Sequence, residues 1–318
     1  MSPRPGDAAS AGAAPTLAVI AASIAFGTTG TAQAKGPADT TPLGVGATRI
    51  LVGAVGLIVA VAVIRWRSRA SSGAATAVWT PRRSHALVVA AGGAGVALYQ
   101  PTFFAGTERS GVAIGTIVAL GSGPAFVGLY ETLVLRRRPS PVWLAATSLA
   151  LAGGALLVAS QAGDGGRFDG LGVLCSLAAG MGYAVYASAA KTLLERNIDS
   201  SVAMAWIFAA GAVLLLPALV TEPLGWLGTR SGVAMVAHLG LVTVTIAYLL
   251  YGFGLRTLAT STAVTLTLAE PVTAALAGIV VLDERLAAAG WLGAAMVVTG
   301  LALTGVRRRR VIAEPAPL

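Results

Sequence analysis

Two glutamates, Glu131 and Glu270, are the acidic residues that lie inside long apolar stretches, and that position limits what they can do. Glu270 stands 14 residues after Arg256 and 13 before Asp283, so on a helix rising 1.5 Å per residue it is about 20 Å from either charge, near the centre of a bilayer. An ionised carboxylate there costs at least about 2.5–3.5 kcal/mol, so it must face a protein interior and either find a partner or hold a proton. Pro271 withdraws a backbone donor and leaves a carbonyl open near Thr267, which puts polar backbone and a flexible point beside the carboxyl. Thr267, Glu270 and Thr273 stand at i−3, i and i+3, hence on one helical face. The chemistry on offer is capture of a solute's amine or uptake and release of a proton; the plainer alternative is a structural hydrogen bond between helices. Glu131, five residues before Arg136, lies about 7 Å inside a basic edge, where it can pair with arginine for structure or serve as a gate.

Polar and aromatic residues recur at helical spacing elsewhere. Tyr99, Gln100 and Phe103 lie together, Tyr183 and Tyr186 are neighbours, and His238, Thr245 and Tyr248 fall on one side of a block with Tyr251 one turn further. Hydroxyls and an amide could hold a solute's polar ends while rings cover its body or act on a cation, with packing or interfacial anchoring as the competing reading for each. His238 lies near a block end, and Pro124 sits in mid-block; both read as gating or structural. Cys175 is the single cysteine, His85 and His238 are far apart, and no phosphate-binding G-x-x-x-x-G-K-[ST] stretch occurs, so neither a metal site, a cofactor nor ATP-driven work is indicated.

The elements that must position these residues are membrane helices. Of 318 residues 56% are hydrophobic and 11% charged, against roughly 25% charged in a soluble domain. The apolar residues fall in ten blocks, at about 15–35, 43–64, 85–105, 111–135, 141–160, 169–191, 201–221, 232–255, 259–282 and 286–306, each near the roughly 20 residues a helix needs to span hydrocarbon. Residues 1–14 read as an unstructured tail, 161–168 as an external linker and 307–318 as a basic cytoplasmic tail. Arg4, the first block and Ala32-Gln33-Ala34 also fit a cleavable secretory signal, although the block outlasts a typical signal core.

The net charge of +9 does not indicate nucleic acid, because the basic residues sit at block ends rather than on one solvated face. With ten spans and both termini cytoplasmic, 16 of the 22 Lys and Arg fall inside, and Lys35, Arg49, Arg109, Arg167, Arg230 and Arg285 fall outside. Glycines at Gly27 and Gly30, at Gly111 and Gly115, and at Gly180 and Gly182 mark expected close helix crossings.

The chain also repeats. Residues 121–154 and 268–301 share a mid-block proline, a charged turn, a Trp-Leu pair and a late glycine; Pro124 to Pro271 and Gly153 to Gly300 are each 147 residues, and Lys35 and Lys191 close the first and sixth blocks. Five spans per half is an odd number, so the halves must face opposite ways. The expected fold class is an all-α integral membrane protein of ten transmembrane helices in two inverted five-helix repeats, 15–160 and 169–306, an arrangement typical of secondary transporters.

The stretch GLRTLATSTAVTLTLAEPVTAALAGIVVLDERLAAAGWLGAAMVVTGLA, residues 254–302, resembles the second EamA domain of the drug/metabolite transporter superfamily through its Glu-Pro, Asp-Glu-Arg-Leu turn and Trp-Leu-Gly signature. The ten-span plan extends the likeness to nearly the whole chain, and it is most similar to the threonine/homoserine exporter branch. The resemblance implies a non-enzymatic carrier in the plasma membrane that exports small amino acids or related metabolites. Spans one, three, four, six, eight and nine would line its cavity. The implied partners are a small-molecule solute, the bilayer and protons as a candidate coupling ion, with room for a homodimer. Two departures stand out: Gly123-Pro124 replaces Glu-Pro in the first half, and Arg136–Arg138 replace the acidic turn. Alternatives are an exporter of amphiphilic cations on the same fold, an intramembrane lipid-processing enzyme, and a membrane scaffold. The enzyme would want paired carboxylates at one depth, which the two glutamates are not.

Overall fold

Apolar blocks of this length have one economical way to satisfy their backbone in lipid, which is to close each N–H···O=C bond within the segment. The computed structural model of the chain describes residues 5–72, 83–110, 112–161, 169–283 and 285–313, and among them only helices and their connecting turns occur. The helices are α1 (Pro5–Gly27), α2 (Thr29–Ala34), α3 (Pro42–Ser72), α4 (Arg83–Ser110), α5 (Val112–Leu133), α6 (Pro141–Gln161), α7 (Gly170–Glu195), α8 (Ser200–Thr221), α9 (Arg230–Ala237), α10 (Ala247–Leu255), α11 (Thr260–Leu266), α12 (Glu270–Leu282) and α13 (Ala288–Ala313). Among the described residues nine stretches are long and apolar enough to cross a bilayer, and Ala288–Thr304 is a shorter apolar one, so the ten blocks become ten helical spans. Large apolar side chains face outward around the perimeter, with Val220 86% and Val280 78% exposed, as lipid rather than water requires.

The expectation for the amino-terminal segment is corrected. Helix α1 begins at Pro5, so residues 5–14 are not unstructured: proline suits a first helical turn and the alanines that follow are strong helix formers. At the other end, helix α13 runs through the basic residues Arg307–Arg310 to Ala313. Arg4, Gly111, the segment 162–168, Glu284 and residues 314–318 lie outside the described residues.

Helix contacts exchange when the halves are exchanged. The first span α1 packs on α10 as α7 packs on α4, α3 packs on the middle of the eighth span as α8 packs on α4, and α3 with α8 and α6 with α13 each pair as counterparts. The fourth and ninth spans both end on a left-handed residue, Arg136 at φ 54° and Asp283 at φ 56°, which stand at the same 147-residue offset as the two prolines. At the α6–α13 crossing, a β-carbon on Gly153 would stand 2.6 Å from the Gly293 carbonyl oxygen, and one on Gly293 would stand 2.6 Å from that of Gly153. Gly153→Ala is therefore expected to cost about 1–3 kcal/mol and to lower the Tm of the detergent-solubilised protein by several degrees. Gly154→Ala, which meets nothing within 4 Å, should leave Tm unchanged.

Two spans depart from α geometry beside the bundle centre. The eighth is π-helical over His238–Ile246, where the Thr245 hydroxyl donates to the Gly240 carbonyl, five residues back, and to the Gly53 carbonyl of α3 at 3.1 Å. The ninth tightens to a 3-10 turn over Thr267–Ala269: Pro271 has no N–H to offer the Thr267 carbonyl, and the Glu270 N–H takes its place.

Candidate functional site

Between the halves lies a cavity of about 430 Å³, within the range of small-molecule sites. Its lining runs from Gln33, Thr107 and Thr116, at the end of the bundle where α2 ends and α5 begins, to the rings of Tyr186, Phe208 and Tyr248. Those three rings form the floor: the Tyr186 and Tyr248 hydroxyls are hydrogen-bonded at 2.9 Å, and the Phe208 and Tyr248 rings are 4.1 Å apart. Eight aromatic side chains line the cavity in all.

Of the residues expected at the site, Glu270, Pro271, Tyr99, Gln100, Tyr183, Tyr186 and Tyr248 line this one cavity. Thr267 and Tyr251 do not. Thr267 is buried among the helices instead, where its hydroxyl meets the Tyr183 hydroxyl at 2.6 Å. Tyr251 is fully buried with its ring 6.0 Å from that of Tyr248. The expected common face of His238, Thr245 and Tyr248 is also lost, because the wider π turn changes the rotation per residue. His238 instead meets the Thr28 hydroxyl at 2.8 Å, Thr245 faces α3, and Tyr248 faces the cavity. Of the paired glycines, Gly27 lies against the backbone of Glu270 and Gly182 against that of Gly95 on α4, whereas Gly30 crosses nothing closely and lines the cavity.

The halves differ at the counterpart of Glu270. A side chain on Gly123 would begin 3.1 Å from the Tyr183 ring, so the place where the first half would carry its carboxyl is occupied by a tyrosine. Pro124 lies within α5, which continues through it.

Arg49, counted by sequence among the outer charges, stands in the first third of α3, half-buried, and lines the cavity with Glu270. It is within electrostatic reach of Glu270, Tyr99 and Tyr248. Its position inside the second apolar block was the available signal, and it is the same signal that singles out Glu270.

Beyond the floor, toward Arg136–Arg138, the bundle is closed by polar ties. Glu131 Oε1 accepts the Ser261 N–H at 3.1 Å and so holds the first turn of α11, rather than pairing with an arginine. Lys191 Nζ donates to the carbonyls of Leu255 at 3.0 Å and Leu258 at 2.9 Å, the backbone between α10 and α11. Arg137 and Glu195 approach to 4.0 Å, and Arg196 donates to the Ser84 carbonyl at 3.0 Å. At the mouth end, Asp169 Oδ1 accepts the N–H groups of Leu171 and Gly172 at 2.9 Å, and the carboxylate bridges to Arg109 at 3.2 Å. The Gly172 N–H is the main reason that this carboxyl is held below the usual carboxylate range, so the tie persists in mild acid and is lost only as pH falls below that range. Among the described residues, no group of three or more His, Cys, Asp and Glu could hold a metal ion.

The model of the EamA-like transporter family matches residues 14–159 and again 170–306. The uncharacterized transporter YwfM of Bacillus subtilis is 36% identical over 307 residues, covering 95% of this chain and 97% of its own length. The uncharacterized inner membrane transporter YicL of Salmonella typhimurium is 24% identical over 216 residues, 68% of this chain and 71% of that protein. A solved crystal structure superposes with a TM-score of 0.73 at 22% identity, covering 93% of this chain and 98% of that one, which extends the likeness to the fold.

Proposed function

Because this chain belongs to the EamA-like transporter family, we propose that it is a secondary exporter of small amino acids or related metabolites that works by alternating access. Residues 15–160 and 169–306 act as two inverted repeats that rock about the cavity, in the plasma membrane with both termini cytoplasmic. Glu270 is the polar anchor for the solute, and protons are the candidate coupling ion. The observation that carries this reading is the cavity itself: it lies between the halves, holds the intramembrane carboxylate, and is closed at the arginine-rich end while lined to the other. With the arginines inside, this is an outward-facing arrangement. Rocking would break the inner ties and bring the outer ends of α4, α5 and α7 over the site.

A second reading is favoured by the aromatic lining: eight rings and one carboxylate could take an amphiphilic cation through ring faces and charge. Counterflow in proteoliposomes across the amino acids and a set of amphiphilic cations separates the two. Uptake of one or more amino acids against an internal pool supports the first. Uptake of cations alone supports the second, and no uptake of either contradicts both.

A further inference from the structure

We infer that Arg49 and Glu270 form a two-pole site for a zwitterion, in which Arg49 takes the solute's carboxylate, Glu270 its ammonium, and the cavity rings its apolar body. This rests on the solute-carrier reading above and names the charge type that the carrier selects. Three observations support it. Both charged side chains line the same cavity, one from each half of the chain. They do not neutralise each other directly: the ion pairs among the described residues are Arg109–Asp169 and Arg137–Glu195, and Arg49 and Glu270 form none within 4.0 Å. Arg49 Nε is also buried without a hydrogen-bond partner, although a guanidinium offers five donors in a fork that matches a carboxylate.

A half-buried charge without a direct partner is poorly compensated, so the site should favour a ligand that satisfies both poles. A cation would compensate Glu270 and leave Arg49 facing a second positive charge. An anion would do the reverse. A zwitterionic α-amino acid carries its ammonium and its carboxylate on one carbon, so a single solute can engage both side chains. The two poles would thereby tie a residue of α3 to one of α12, so that only a correctly charged solute links the halves that must move together.

The test uses matched probes on the full-length protein: leucine and phenylalanine, their decarboxylated amines isopentylamine and phenethylamine, and their deaminated acids 4-methylpentanoate and 3-phenylpropionate. Each is assayed by thermal shift and by inhibition of counterflow. The wild type should prefer at least one amino acid over both of its fragments by about tenfold or more. Arg49→Gln should erase the preference over the amine, Glu270→Gln should erase the preference over the acid, and Arg49→Lys should restore part of what Arg49→Gln loses. A role for Arg49 in folding alone would lower all probes together and leave their ratios unchanged, and that result overturns the inference. So does a wild type that, for leucine and for phenylalanine alike, takes a fragment as well as the parent amino acid. If neither amino acid nor its fragments act while the protein carries another, non-zwitterionic solute, the zwitterion site is wrong and the carrier reading stands. If no solute is carried at all, both fail.

Discussion

Glu270→Gln is expected to reduce solute flux through the reconstituted protein about 10- to 100-fold without impairing folding. Glutamine keeps the shape of the side chain and removes its charge, and the close approach of Gly27 is to the Glu270 backbone, so the helix packing should survive. What is lost is an interaction between a charged group and the solute, which is worth about 1.5–3 kcal/mol in a partly dry site, and about 1.4 kcal/mol corresponds to each tenfold. The residual flux of the variant should also be the same at each pH where the wild type varies, if protons are carried on this group. Glu131→Gln is the matched control. Its role in the structure is to accept the Ser261 N–H, which an amide oxygen can still do, so flux should change by no more than about twofold. Counterflow measured side by side, with Tm as the folding check, decides between them. Equal losses for the two variants would remove the special place of the midplane carboxyl.

Lys191→Met is expected to open the arginine-rich end, at least tenfold by accessibility. The ammonium holds two carbonyls between α10 and α11, and hydrogen bonds from a charged donor are worth about 1.5–3 kcal/mol. Methionine fills similar space but leaves both carbonyls without that donor, and the α10–α11 backbone gains most by turning them toward water. The readout is a cysteine at Ser261, which is buried in the closed arrangement, in a Cys175→Ala background. Its labelling by an impermeant thiol reagent from the cytoplasmic side should speed up by at least tenfold when Lys191 is replaced. An unchanged rate would mean that apolar packing alone seals the inner end.

Much of this organisation was legible in the chain because lipid imposes blunt requirements. Ten apolar blocks had to become helices, and the 147-residue offset read from Pro124 and Pro271 returns in the left-handed turns at Arg136 and Asp283. The interior position of Glu270 followed from the cost of placing a carboxylate in hydrocarbon, whereas for Tyr99 and Tyr183 helical spacing left cavity and packing both open. What failed were the arguments that assumed one constant rotation per residue. The π-helical stretch separates His238, Thr245 and Tyr248, and Thr267 is drawn from the cavity by its bond to Tyr183. The partners involved, the Gly53 carbonyl for Thr245 and the Tyr183 hydroxyl for Thr267, lie on other helices that no local window contains. Arg49 was missed for a different reason: a cation near a block end fits the loop-charge pattern equally well, and only the packing of α3 against the other half brings it to the cavity. The same holds for Lys191, whose carbonyl partners lie 64 and 67 residues away in the chain.

The most direct test of a solute-sized hollow that changes sides is thiol accessibility at Ala274, a cavity-lining position on the helix of Glu270. With Ala274→Cys in a Cys175→Ala background, an impermeant reagent applied outside intact cells should label the site. A transported solute should slow that labelling, and under net flux the same cysteine should react from the cytoplasmic face of inverted vesicles. Labelling from neither face, or from one face only and at a rate that no solute alters, would contradict alternating access through this cavity.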